Sequence, residues 1–242
     1  MAGLTVSAPV DGVLVAELDR PPGNLLTVEL CEELVRLLRQ PPDGAHVLRL
    51  RATGKAFCLG RERAGSTPGE LRQEAKVLVS VHRALRRTRL VTVAEVGGDA
   101  AGFGVGLLAA CDVSVAVADA RFSFPEVGIG LAPALVLAWL PRIVGERQAF
   151  WLTATGEPVT AARALELGLL NGVVDGSEAL VKDVDERVVT LRGRHPRVHV
   201  EIREILLACR SLDEDQALEL SIDRLVVGSL RRAEAGIPRP AS

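Results

Sequence analysis

Tyrosine is absent from the 242-residue chain, so no phenolic acid or base takes part in its chemistry. Aromatic residues make up 3% of the sequence. The arginines Arg83, Arg86, Arg87 and Arg89 therefore lack the interleaved stacking side chains that nucleic-acid surfaces use. A formal net charge of −2 provides no overall attraction to nucleic acid or to an anionic membrane, and neither is expected as a partner. Lysine occurs only at Lys55, Lys76 and Lys182. With arginine in the remaining basic positions and much Ala, Val and Leu, the composition fits a GC-rich coding sequence and a bacterial source. The cysteines Cys31, Cys58, Cys111 and Cys209 form no Cys-x-x-Cys pair and have no histidine at zinc-ligand spacing. Buried, reduced thiols and no metal site are expected. No Ser/His/Asp spacing supports a covalent mechanism. The longest apolar stretch, Ile129 to Leu140, is too short to span a bilayer and contains Pro133. The opening Met-Ala-Gly-Leu-Thr-Val lacks the basic flank and apolar core of a signal peptide, so the expected location is cytoplasmic.

What is present is an alternation of short apolar runs with helical patterns, the mark of an α/β chain. Val13 to Leu18 and Val47 to Ala52 read as strands, and Val28 to Arg39 between them reads as a helix. That helix stacks Leu30, Leu34, Leu37 and Leu38 on one stripe and is stopped by Pro41-Pro42. A helix is expected over Glu70 to Arg87, and strands over Thr88 to Val96 and Val113 to Ala118. Phe122 to Phe124 is expected as a short strand, and Leu135 to Val144 and Thr160 to Leu167 as helices. Beyond about residue 180 the strand patterns cease. Ala179 to Leu191 and Val198 to Arg232 read as helices on either side of the breaker Gly193-Arg-His-Pro196. The division expected is a core of residues 1–192 and a helical region of residues 193–242. Residues 236–242 are expected to hang loose.

The run Gly97-Gly-Asp-Ala-Ala-Gly102-Phe-Gly104-Val-Gly106 places closely spaced glycines between a strand and an apolar helix. A helix start directs unpaired N–H groups and the positive end of its dipole forward, which suits an anion or a developing oxyanion. The run matches neither the dinucleotide fingerprint nor the P-loop. A tight turn whose glycines only permit close packing fits it equally well. Two further segments carry candidate chemistry. One is Thr53-Gly-Lys-Ala-Phe-Cys-Leu-Gly60-Arg61-Glu62, read as a turn after a strand. The other is Phe122-Ser-Phe-Pro125-Glu126, where a carboxylate follows Pro among apolar neighbours.

On these segments the chain resembles the crotonase superfamily, the enoyl-CoA hydratase/isomerase proteins. The matching motifs are Leu18-Asp-Arg-Pro21, Gly54-Lys-Ala-Phe-Cys58-Leu-Gly60-Arg-Glu62, Gly102 to Asp112, Phe122 to Gly130 and Thr155 to Leu169. Together they cover about residues 13 to 175, in the family's order. The resemblance implies an α/β crotonase (ClpP-like) spiral of ββα units with a C-terminal helical portion that trimerises, the whole being a homotrimer or hexamer. It also implies an acyl-CoA or acyl-carrier-protein substrate. Coenzyme A or phosphopantetheine would then enter as part of that substrate, and no cofactor would be tightly bound. The two backbone donors to the thioester oxygen map to Arg61 and Phe103. Leu59, Gly60, Gly102, Gly104 and Ala134 would border the substrate, and Arg20 or Lys55 would grip its phosphate.

In the hydratases two glutamates act. The first maps to Gly106, which has no side chain, and the second to Glu126. A single carboxylate suffices to carry a proton from one carbon to another, so the resemblance implies 3-enoyl to 2-enoyl isomerisation with Glu126 as acid and base. Hydration with a substituted second group, decarboxylation resting on the oxyanion hole, and a non-catalytic accessory protein of the same fold stand as alternatives. Read without the resemblance, Glu126 is a carboxylate capping a helix start. Asp99 is a turn former or faces the pocket, and Glu95 points to solvent or a salt bridge. His82, His195 and His199 are surface or interface residues.

Overall fold

The computed structural model describes residues 3–234. The chain divides into two compact units, residues 1–196 and 197–242, so the break falls after Pro196, just beyond the breaker segment. The first unit opens with strands β1 (Leu4–Val6) and β2 (Val13–Leu18), helix α1 (Val28–Arg39), and strands β3 (Val47–Ala52) and β4 (Ala56–Cys58). Helix α2 (Pro68–Leu85), strands β5 (Val91–Val96) and β6 (Asp99–Ala101), and helix α3 (Phe103–Ala110) follow. After strands β7 (Val113–Val117) and β8 (Arg121–Ser123), a 3₁₀ turn (Pro125–Ile129) leads to helices α4 (Ala134–Leu137), α5 (Pro141–Val144) and α6 (Glu146–Thr155). Strand β9 (Val159–Thr160), helix α7 (Ala161–Glu166), strand β10 (Gly172–Val174) and helix α8 (Gly176–Arg192) complete it.

Six strands form one sheet in the order β1-β2-β3-β5-β7-β10, parallel except for β1, and four form a second in the order β4-β6-β8-β9. Each of β3, β5 and β7 lies in the large sheet, and the strand that follows it lies in the small one. A helical segment then returns the chain, which is the ββα spiral that the resemblance implies. Strand β5 is buried along its whole length, as a central parallel strand covered on both faces should be. Helix α8 packs against β5 and β7, while α1 packs against α2.

Local chemistry explains where the elements begin and end. Thr27 caps α1, its Oγ1 accepting from Leu30 N–H at 3.2 Å, and Leu30, Cys31, Leu34, Val35 and Leu38 form the buried stripe. The bounds of α1, β2 and β3 coincide with those read from the sequence. Where a single helix was expected over Leu135 to Val144, two one-turn helices occur, because Pro141 has no N–H to continue the first. Helix α6 was not expected, although Gly145 (φ +79°) and Gly156 (φ +67°) punctuate it. Strands β4 and β6 occupy runs read as turns. Glu95 is buried on β5 and ion-pairs with Arg49 of β3, which also reaches Asp185 of α8 at 2.6 Å.

Helix α9 (Pro196–Ala208), whose first residue is the last of the first unit, leads through a 3₁₀ turn (Cys209–Ser211) to α10 (Glu214–Glu234). Glu201–Arg231 (2.8 Å) and Glu204–Arg224 (3.2 Å) tie the two helices together. Among the described residues no helix is long and apolar enough to cross a membrane.

Candidate active site

The site begins with a buried asparagine. Asn24 lies entirely out of solvent, and its side-chain amide donates to the carbonyls of Thr53 (2.8 Å) and Ala56 (2.7 Å) while its Oδ1 accepts from Arg20 N–H. This holds the Pro21–Asn24 turn under β4. Leu26 N–H then donates to Gly60 O (3.0 Å), and Leu26 O accepts from Glu62 N–H (2.9 Å). In such a parallel bridge the residue in between, Arg61, turns its own N–H away from Leu26. Gly60 enters this arrangement at φ +114°, a conformation that glycine adopts without strain.

The second amide belongs to the start of α3. Gly102, at φ +52°, precedes the helix and donates its N–H to Ser123 O at 2.9 Å. Phe103 is the first helical residue, so its N–H has no partner within the helix. Among the described residues neither Arg61 N–H nor Phe103 N–H has an acceptor. Helix α3 can approach β4 this closely because of Gly104. A Cβ there would stand 2.0 Å from Cys58 O.

Glu126 completes the group from the 3₁₀ turn after β8. Its Oε1 lies 2.7 Å from the point a Cβ on Gly102 would occupy, so a side chain there would displace the carboxylate, and the φ of +52° itself favours glycine. Its Oε2 is buried and among the described residues has no hydrogen-bond partner. Native structures rarely leave a buried polar atom unpaired, and a catalytic role is one reason that they do. Arg61, Phe103 and Glu126 line one cleft of about 410 Å³ together with Leu59, Gly60, Gly102 and Ala134. Two of the expected substrate contacts lie elsewhere. Gly104 serves packing against β4 and does not line the cleft. Arg20 is drawn off by Glu62 (3.0 Å) and Leu25 O (3.1 Å). Asp99 neither faces the cleft nor makes a tight turn. Its Oδ1 accepts from Arg121 N–H at 2.8 Å, joining β6 to β8.

The Arg61 side chain is also anchored, with Nη1 donating to Glu74 Oε2 at 2.7 Å. The same carboxylate accepts from the N–H groups of Gly65 and Ala64, which with Arg61 hold its pKa below the usual carboxylate range, the Gly65 bond contributing most. One turn earlier, Glu70 and Thr67 form a capping box at the start of α2. Backbone N–H donors at Ser66 and Thr67 draw the Glu70 pKa down to about 2 from 4.5. Because its folded-state pKa is depressed, the stabilisation is complete above about pH 4.5 and is lost as pH falls toward 2. The melting temperature of Glu70→Gln should therefore lie below that of the wild type at neutral pH. The gap should close through that acid window, and thermal melts at a series of pH values measure it. A constant gap would exclude the cap as its source.

Burial pushes the Cys58 thiol, next to the Arg61 turn, up to about 12, so it is not a nucleophile at neutral pH. Position 106 faces a different neighbour. A Cβ there would meet Trp139 Cζ2 at 3.5 Å and Nε1 at 3.7 Å. The nearly buried indole stacks with His82 (centroids 6.4 Å apart) and meets Phe124 at a tilt. Asn24, Glu74 and Trp139 were not expected from the sequence. The only signals were an Asn after a Pro-Pro-Gly run and an acid one turn beyond a capping Glu.

Fold and cleft together define a ββα-spiral protein with a carboxylate and two helix- or bridge-positioned amides on one pocket. The chain belongs to the enoyl-CoA hydratase/isomerase family, whose model matches residues 10–227. It is 30% identical over 224 residues to a "probable enoyl-CoA hydratase" of Mycobacterium bovis, covering 90% of this chain and 85% of that protein. The crystal structure of an enoyl-CoA hydratase from Mycobacterium smegmatis superposes with a TM-score of 0.89 at 26% identity, covering 99% of this chain and 98% of that one. A Thermobifida fusca protein described as an enoyl-CoA hydratase, solved in complex with CoA, gives 0.84 at 26% identity over 96% and 95%.

Proposed function

We propose that this protein isomerises 3-enoyl thioesters of coenzyme A, or of a phosphopantetheine carrier, to 2-enoyl thioesters, with Glu126 as the single acid and base. The thioester oxygen lies between the N–H groups of Arg61 and Phe103. The Glu126 carboxylate removes a proton from C2. The C2–H electrons flow into a dienolate whose charge rests on the thioester oxygen, where each amide is worth roughly 3 kcal/mol. The protonated Glu126 then delivers the proton to C4, leaving the double bond between C2 and C3.

The observation that carries this reading is the buried, unpartnered Oε2 of Glu126 in the cleft that Arg61 and Phe103 line. Trp139 supports it as well, since the indole stands where a longer side chain at Gly106 would extend. The CoA complex of the Thermobifida fusca relative supports the choice of carrier. The proposal includes a homotrimer, or a hexamer of paired trimers, built with the C-terminal helices. Exposed Leu218, Ile222, Leu225 and Leu230 on α10 support it.

The test is to offer the purified protein a 3-enoyl-CoA and a 2-enoyl-CoA of equal chain length. Conversion of the first to the conjugated thioester, without water addition to the second, is the expected outcome. Hydration is the second reading, favoured by the names of the relatives. Formation of 3-hydroxyacyl-CoA at a comparable rate would establish it instead.

A further inference from the structure

The cleft carries a positive charge that the isomerisation does not use. Two arginines line it, Arg61 and Arg63. Arg61 is engaged by Glu74, whose side chain is only 9% exposed. Arg63 is exposed, and among the described residues no carboxylate or carbonyl accepts from it.

The backbone around Arg63 is nevertheless held from both sides. Before it, Glu62 N–H donates to Leu26 O (2.9 Å). After it, Glu74 takes the N–H of Ala64 (3.1 Å) and of Gly65, and Glu70 takes those of Ser66 and Thr67 (2.9 Å each). An arginine on a held stretch of backbone, at the wall of a largely apolar cleft and with no internal counter-ion among the described residues, suits an anion carried by the ligand.

We infer that Arg63 binds a carboxylate at the distal end of the acyl group, so that the substrates are acyl thioesters bearing a second carboxylate. This rests on the thioester reading above. Two residues of chain span at most about 7 Å, so the Arg63 backbone lies within that distance of the Arg61 donor. The carrier's phosphates, by contrast, lie at the far end of a long pantetheine arm leading away from the sulfur. Ala75 and Leu78 of α2 line the same cleft and supply apolar surface for the intervening methylenes.

The experiment is calorimetric titration of the full-length protein and of Arg63→Gln with glutaryl-CoA and pentanoyl-CoA, which match in chain length and differ in the terminal carboxylate. Wild type should prefer glutaryl-CoA by about tenfold, the size of one charge-assisted contact. In Arg63→Gln that ratio should fall to within about twofold of unity, and Arg63→Lys should restore part of it. Loss of affinity for both ligands with the ratio preserved would assign Arg63 to the phosphates and overturn the inference, as would a wild type that prefers pentanoyl-CoA. Binding of neither ligand would overturn the thioester reading itself.

Discussion

Glu126→Gln is expected to reduce kcat for 3-enoyl to 2-enoyl conversion by about a thousandfold or more, the usual span for loss of a positioned proton carrier. The amide keeps the shape of the side chain over Gly102, so affinity for a saturated acyl-CoA and the midpoint of denaturant unfolding should change little. The replaced group has one oxygen without a partner in the folded protein, so no stabilising hydrogen bond is lost there. A variant that binds thioester normally but does not turn over places the chemistry on this carboxylate. Wild-type turnover would remove Glu126 from the mechanism.

The second large effect is expected at Gly104, through the backbone. A methyl group there would stand 2.0 Å from the carbonyl oxygen of Cys58 and 2.8 Å from its carbon, and neither atom can rotate aside as a side chain would. Gly104→Ala must push the start of α3 off β4, at a cost of roughly 3 kcal/mol. Because Phe103 begins α3 and Arg61 follows β4, the same displacement separates the two amides. Activity should therefore fall about a hundredfold beyond any loss of folded protein, as when one oxyanion donor is removed. Gly106→Ala, two residues along the same helix, is the control. Its methyl would meet only ordinary contacts of 3.5 to 3.7 Å and should be tolerated. Denaturant unfolding and thioester turnover of both variants measure the contrast, and equal stability of the two would refute this account of the packing.

How far the sequence could be read depended on how local each signal was. Thr27, the leucine stripe and Pro41-Pro42 all act within a few residues of α1, and its bounds were legible to the residue. Strands β4 and β6 are three residues each, too short for alternation to register, and they hold their place by pairing with each other and with β8. That Glu126, Arg61 and Phe103 would share a cleft was legible because their motifs are contiguous. Glu74 was not, since its worth comes from three donors that fold back onto it from another segment. Trp139 likewise acquires its meaning only from contact with α3. That Arg20 and Gly104 do not line the cleft was hidden for related reasons. A sequence shows a cation and a glycine, but not that Glu62 takes up the first or that Cys58 crowds the second.

The indole beside Gly106 also bears on reversibility. A side chain introduced at position 106 alone would start in contact with the indole that stacks with His82 and meets Phe124, while shrinking residue 139 alone would remove a nearly buried side chain from its packing. Each single step toward a second carboxylate there is therefore expected to cost packing. On the one-carboxylate reading proposed above, packing around position 106 therefore holds the site in place alongside any demand of the reaction.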